Sequence, residues 1–226
     1  MNPTVPSGRK KKFSIGNIAG LLVATTLLGQ ILGFLRTKLV NANFPTTGPH
    51  STDAYFAAFS VPDFFFFTLA AGALGVAFIP VLSDRLYGGN RKSMWELSSS
   101  LMNFLALLMV AVGVIMFVFA KPLIAHIVAP GLVHQPEQLN TAATIMRLLA
   151  FNPLLFTISG ILTSVQQTLG RFFFHAIAPL FYNLTIIVSA TIFSTQAPHN
   201  GWPGHLGLVG LWVGALIGAL LHLLVI

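Results

Sequence analysis

The 226 residues contain no cysteine, which excludes disulfides, thiolate metal sites and cysteine nucleophiles without identifying a compartment. Charge is nearly as scarce: 8% of residues are Asp, Glu, Lys or Arg, and only five residues are acidic. A soluble domain carries about 25% charged residues, so a water-exposed fold is excluded. No HExxH, nucleophile elbow or Walker loop is present, and the seven histidines show no metal-ligand spacing. Hydrolytic, metal and nucleotide chemistry therefore lack a visible constellation. The expectation is a non-enzyme without cofactor.

What is present is apolar length. Hydrophobic residues make up 55% of the chain and mean hydropathy is +0.81. Several runs reach about 20 residues, enough to cross a hydrocarbon core of about 30 Å. The expected fold is all-α, a polytopic membrane helical bundle. The net charge of +7 is no nucleic-acid signature. Arg9, Lys10, Lys11 and Lys12 form one cluster directly before the first apolar run, and no aromatic-basic module follows. Such a cluster keeps an N-terminus in the cytoplasm and touches anionic lipid. The run after it is too long for a signal-peptide core of about 7–15 residues and reads as a retained helix.

Six spans are expected: about Ile15 to Val40, Asp53 to Leu86 (interrupted at Pro62, with Gly72, Gly75 and Pro80), Ser93 to Ala120, Leu139 to Leu169 (with Pro153 inside), His175 to Ser194, and Leu206 to Ile226. Residues 1–12 would be a basic cytoplasmic tail and residues 13–226 a six-helix lobe. "SDRLYGGNRK" (83–92) and "GRFFFH" (170–175) carry cations and are placed in the cytoplasm, whereas 41–52 and 195–205 have no Lys or Arg and are placed outside. Between them, "KPLIAHIVAPG" reads as a short interfacial helix stopped by Pro130 and Gly131. The last residues, "GALIGALLHLLVI", end within an apolar helix without a polar flank. A fragment of a larger transporter is expected.

Small residues supply the first motifs. Gly29 and Gly33 form one GxxxG; Gly210, Gly214 and Gly218 form two overlapping ones, with His222 next on the stripe. They read as close helix packing, or additionally as a sliding surface. Thr25, Gly29, Gly33 and Arg36 share one helix face, while Lys38 points elsewhere and can snorkel. Arg36 either snorkels too or faces inward to hold an anion. Asp63 stands ten residues past Asp53, about 15 Å along a helix. It is either the partner of a cation or proton, with Pro62 kinking the helix beside it, or a first-turn residue of a new segment. Asp53 follows Ser51 and Thr52 at a helix start, as a cap would. Arg147 either snorkels or joins Arg36 in an anion site; Gln166, Gln167 and Asn183 read as interhelical hydrogen-bonding groups.

"GFLRTKLV" (33–40), "TDAYFAAFSVPD" (52–63), "GALGVAFIPVLSDRL" (72–86) and "LGRFFFHAIAPLFYNL" (169–184), followed by a glycine-rich helix, occur in an order that resembles the N-terminal lobe of the MurJ/MviN family. These are lipid II flippases of the multidrug/oligosaccharidyl-lipid/polysaccharide exporter superfamily. The resemblance spans about Gly16 to Ile226 and implies a two-lobed bacterial inner-membrane transporter whose central cavity opens alternately to each side. The implied cargo is undecaprenyl-diphosphate-linked peptidoglycan precursor, moved to the outer leaflet. Arg36 matches the family's arginine, although Thr37 replaces the acid that follows it. Asp53 matches the family's TDA aspartate. Gln30 and Phe66 stand where some members have cavity arginines, and Ala71 where they have a glutamate, so this cavity is expected to be less charged.

The resulting expectation is a flippase with Arg36, Arg147 and Gln30 as substrate-binding residues. Asp53, Asp63 and Pro62 would be gating or ion-coupling residues; Gly29, Gly33, Gly210, Gly214 and Gly218 would pack helices. Its partners would be a lipid-linked oligosaccharide diphosphate, membrane lipids and a missing C-terminal lobe. Alternatives are an exporter of another lipid-linked polysaccharide or a non-transporting scaffold for cell-wall synthesis. A membrane glycosyl or acyl transferase is disfavoured, since no paired catalytic groups are visible.

Overall fold

The computed structural model describes residues 15–68, 78–194 and 204–226. The basic tail, Ala71, Gly72, Gly75 and most of the loop at 195–205 lie outside the described residues. Within them the chain is all-helical: α1 (Ile15–Asn43), α2 (Thr52–Phe65), α3 (Ile79–Tyr87), α4 (Arg91–Leu123), α5 (Pro136–Leu149), α6 (Asn152–Thr168), α7 (Phe173–Ile192) and α8 (Gly204–Val225). The expected helical membrane bundle is observed. Four stretches are long and apolar enough to cross a membrane, namely Gly16–Asn43, Arg91–Val128, Pro136–Thr168 and Phe173–Ile192. Gly210–Val225 is a shorter apolar helix, and α2 and α3 flank residues 69–77.

Three boundaries differ from expectation, each for a backbone reason. The fourth span is two helices, because Pro153 enters the first turn of α6 and has no N–H to give the Leu149 carbonyl. Gly113 of α4 accommodates the break: a Cβ there would stand 2.8 Å from the Phe151 ring and 3.0 Å from the Ala150 carbonyl oxygen. The stretch from Lys121 is no separate interfacial helix. It continues α4 past a kink at Phe119, near Pro122, into a π turn at Ile124–Val128, where Ile124 and Ala125 are buried in the main core. Finally, Pro62 opens no new segment. α2 runs through it and widens into a π turn only at residues 66–68.

Two turns at one end of the bundle are closed alike. After α3, the Asn90 N–H donates to Arg85 O (3.0 Å) and Gly89 N–H to Leu86 O (3.2 Å); after α6, Arg171 N–H donates to Gln166 O (2.8 Å) and Gly170 N–H to Gln167 O (2.9 Å). Both are Schellman motifs, and both need the left-handed conformation at the glycine, where φ is +78° at Gly89 and +72° at Gly170. Arg85, Arg91, Lys92 and Arg171 therefore gather at this end. At the other end Ser51 caps α2 by accepting from Ala54 N–H, and Gln138 of α5 donates to the same hydroxyl at 3.2 Å.

The larger core joins the end of α1 (Val40, Phe44) to α2, the end of α4, α5, α7 and α8. Ala54 and Ala58 on α2 meet α5, where Ala142 and Ala143 are equally buried, so these helices approach through small side chains. The smaller core, with Leu82, Met94, Leu105 and Ile161, holds α3, α4 and α6 together. α1 packs along α7, and its remaining faces, with Ile31 and Phe34, stay exposed. This leaves α1 and α2 splayed around a hollow.

Candidate functional site

That hollow is a cavity of about 340 Å³, walled by α1, α2, α6, α7 and α8. Arg36 enters from α1 and Asp63 from the last turn of α2; Asn183 comes from α7 and His222 from α8. The rest of the wall is largely aromatic. Phe66 and Phe156 have ring centroids 4.9 Å apart, Phe156 and Tyr182 5.2 Å, Phe156 and His222 5.4 Å, and Tyr55 and Phe59 4.6 Å. A second cavity, of about 420 Å³, follows the same α1–α7 seam and is lined by Thr25, Gly29, Gln30, Gly33 and His175. Arg36, Pro179 and Asn183 line both. The two hollows thus form one groove with the guanidinium at their junction.

The predicted stripe explains this placement. Two turns of α1 place Gly29, Gly33 and Arg36 toward α7, and the glycines leave room instead of filling it. A Cβ at Gly33 would meet nothing within 4 Å, and one at Gly29 only Leu180 Cδ2 at 3.7 Å. Lys38 is exposed and lines neither cavity. Asp63 is exposed along the same cavity wall as Arg36. Among the described residues, however, the one ion pair is Lys92–Glu96, at 3.8 Å on the surface of α4. Arg36 and Asp63 are therefore opposite charges in one cavity that do not contact each other.

Other expected site residues lie elsewhere. Arg147 does not join Arg36: it lines neither cavity, and its Nε donates to Phe117 O at 3.2 Å, beside the α4 kink that loosens the local carbonyls. Asp53 sits in the first turn of α2, but Ser51 is the cap. Asp53 lines a separate hollow of about 230 Å³ with Gln135 and Gln138, remote from the groove. Pro62 is buried inside α2, one residue before Asp63, and does not line the cavity. Phe66 does face it.

The α8 glycines meet α7 closely. A Cβ on Gly210 would overlap the Phe193 ring, one on Gly214 would overlap the Ser189 hydroxyl, and one on Gly218 would overlap the Thr185 hydroxyl. Gln166 donates to the Ile226 carbonyl, and Asn183 Nδ2 donates back along its own helix to Pro179 O at 3.3 Å.

Sequence reasoning passed over Tyr55, Phe156 and Tyr182. The available signal was a tyrosine in an otherwise apolar helix, whose hydroxyl calls for a polar neighbour; Phe156 carried none. Chemically, the groove offers one guanidinium, one carboxylate, amides and an aromatic wall. That set is chemically suited to a polar head, held by charge and hydrogen bonds, beside an apolar chain.

Comparison with known proteins agrees with the geometry. The family model "Lipid II flippase MurJ" matches residues 48–226. The chain is 29% identical over 170 residues to the probable lipid II flippase MurJ of Buchnera aphidicola subsp. Acyrthosiphon pisum, covering 75% of this chain and 33% of that protein. It is 29% identical over 203 residues to the lipid II flippase MurJ of Thermosipho africanus (89% and 38%), and 28% identical over 185 residues to the probable one of Synechocystis (81% and 33%). It spans about a third of the length of these curated relatives. With the matched region covering most of the sequence, the chain belongs to the MurJ lipid II flippase family.

Proposed function

We propose that residues 13–226 form the N-terminal lobe of a flippase that carries an undecaprenyl-diphosphate-linked peptidoglycan precursor from the inner to the outer leaflet by alternating access. The observation that carries this reading is the position of Arg36 at the junction of two cavities on one groove. A diphosphate crossing a low-dielectric region needs a fixed donor, and a guanidinium offers paired N–H groups matched to phosphate oxygens. Gln30, along the same groove, would supply a neutral hydrogen bond. Asp63 and the Pro62 kink would serve gating or ion coupling. Arg147 and Asp53 have no part in the head-group site.

The basic tail and the Arg85–Lys92 and Arg171 turns would face the cytoplasm of a bacterial inner membrane, with a second lobe closing the groove from the α1–α2 side. Energy would come from the membrane potential or a cation gradient, the former worth about 2.3 kcal/mol per charge per 100 mV. The neutral Gln30 and Phe66 favour, as a second reading, an exporter of a different lipid-linked polysaccharide.

The test is flipping of a fluorescent lipid-linked diphosphate glycopeptide by the full-length protein in proteoliposomes. Arg36→Ala should slow it by about tenfold or more, the loss of a charged hydrogen bond, and Arg36→Lys by less. Wild-type rates for Arg36→Ala would end the proposal. Flipping of an unrelated lipid-linked glycan in place of the glycopeptide would select the second reading.

A further inference from the structure

The cavity balances its charges in a way that a purely anionic head does not require. Arg36 contributes one guanidinium and Asp63 one carboxylate, and among the described residues no other Lys, Arg, Asp or Glu lines either cavity. They are not joined in an ion pair, so neither satisfies the other. Asp63 instead shares its cavity with Tyr55, Phe59, Phe66, Phe156 and Tyr182. A carboxylate in a cavity walled by aromatic rings is the chemistry that recognises an ammonium group, by charge and by cation–π attraction. It repels a phosphate. His222 adds a buried Nδ1 without a hydrogen-bond partner among the described residues, on the same wall. The other titratable side chains on the groove are His175, Tyr55 and Tyr182.

We infer that this cavity recognises a head group carrying an anion and an ammonium together, the anion held by Arg36 and the ammonium seated between Asp63 and the aromatic wall. The inference rests on the proposed head-group role of Arg36 and names the chemistry of the ligand more closely. The ammonium could belong to a peptide amine on the transported lipid or to a zwitterionic bilayer lipid, and the two sources share this recognition.

Two probe pairs separate them, measured for binding to the full-length protein in detergent. One pair is short-chain phosphatidylethanolamine and its N-acetylated form. The other is a short-chain lipid diphosphate glycopeptide with a free side-chain amine and its N-acetylated form. The free amine should bind about tenfold more tightly than its acetylated partner in at least one pair, as a charged hydrogen bond implies. Preference in the first pair assigns a bilayer lipid, and preference in the second the cargo. Asp63→Asn should bring that ratio close to one, Asp63→Glu should retain it, and Arg36→Gln should weaken every probe. Equal binding within both pairs, with the Arg36 dependence intact, overturns the ammonium site and leaves the anion site standing. An amine preference that survives Asp63→Asn overturns it as well. Binding of no probe, or binding indifferent to Arg36→Gln, overturns the head-group reading itself.

Discussion

Two GxxxG motifs in this chain should respond to the same substitution with opposite signs. In Gly214→Ala/Gly218→Ala, the new Cβ atoms overlap the Ser189 and Thr185 side chains and stand 3.2 Å from the carbonyl oxygens of Thr185 and Tyr182. Hydroxyls can rotate away; the carbonyls belong to the α7 ladder and cannot. Overpacking of this kind costs about 1–3 kcal/mol per site, hence about 2–6 for the pair. In Gly29→Ala/Gly33→Ala the Cβ atoms enter open space or ordinary contact. Alanine gains about 1 kcal/mol of helix propensity over glycine at each of the four sites, so that gain cancels between the two doubles. The full-length protein in detergent, unfolded by heat and followed by tryptophan fluorescence, should show a clearly lower midpoint for the α8 double than for the α1 double. The α1 double should equal or exceed wild type in stability yet flip more slowly, because its methyl groups line the groove. Equal midpoints, or a less stable α1 double, would refute the assignment of one motif to packing and the other to space.

Arg147→Ala should cost about 1 kcal/mol through the lost bond to Phe117 O, discounted for partial exposure, while leaving flipping unchanged; the same assays report both. Ser51→Ala removes the α2 cap and the acceptor for Gln138, and should lower stability by about 1 kcal/mol or slightly more. Gly170→Ala forces a Cβ into left-handed backbone and should cost about 1–2 kcal/mol, visible as a lower unfolding midpoint with Arg36-dependent binding retained.

Much of the architecture was legible because lipid leaves the backbone few choices. An apolar run of 20 residues has to be helical, so α1, α4 and α7 follow directly from composition. The cavity face of α1 was legible too, because Gly29, Gly33 and Arg36 recur at helical spacing. Helix breaks were harder to read. Pro153 and Pro62 look alike in the sequence, yet the first begins a helix and the second sits inside one. What separates them is tertiary: Gly113 gives the turn before Pro153 a place to fit, while Pro62 is buried within a helix that continues through it. Arg147 was left between snorkelling and a place beside Arg36 for a related reason. One-dimensional spacing could not say that the α4 kink offers it an acceptor, the Phe117 carbonyl. The α2–α5 contact had a signal, the Ala54/Ala58 pair, that glycine motifs overshadowed.

The prolines share a location that their separate roles do not explain. Pro179 lines both cavities, Pro62 precedes Asp63, and Pro153 lies three residues before Phe156 on the cavity wall. Pro62 and Pro179 each remove one N–H from a helix ladder, leaving the carbonyls of Ala58 and His175 without their usual donor and softening the helix there, whereas Pro153 sits in the first turn of α6 and marks the break after α5. Two of the five helices around the groove therefore carry a missing ladder bond beside it, and a third begins there. α8, by contrast, has no proline in its described length and is locked to α7 by its glycines. A wall that bends at α2 and α7 while α7 and α8 stay joined would move Asp63 relative to Arg36 without breaking the larger core. Substituting alanine for Pro62 should then rigidify α2, raising the unfolding midpoint while slowing flipping. A variant that gained stability and kept its full rate would show that cavity motion does not pass through this kink.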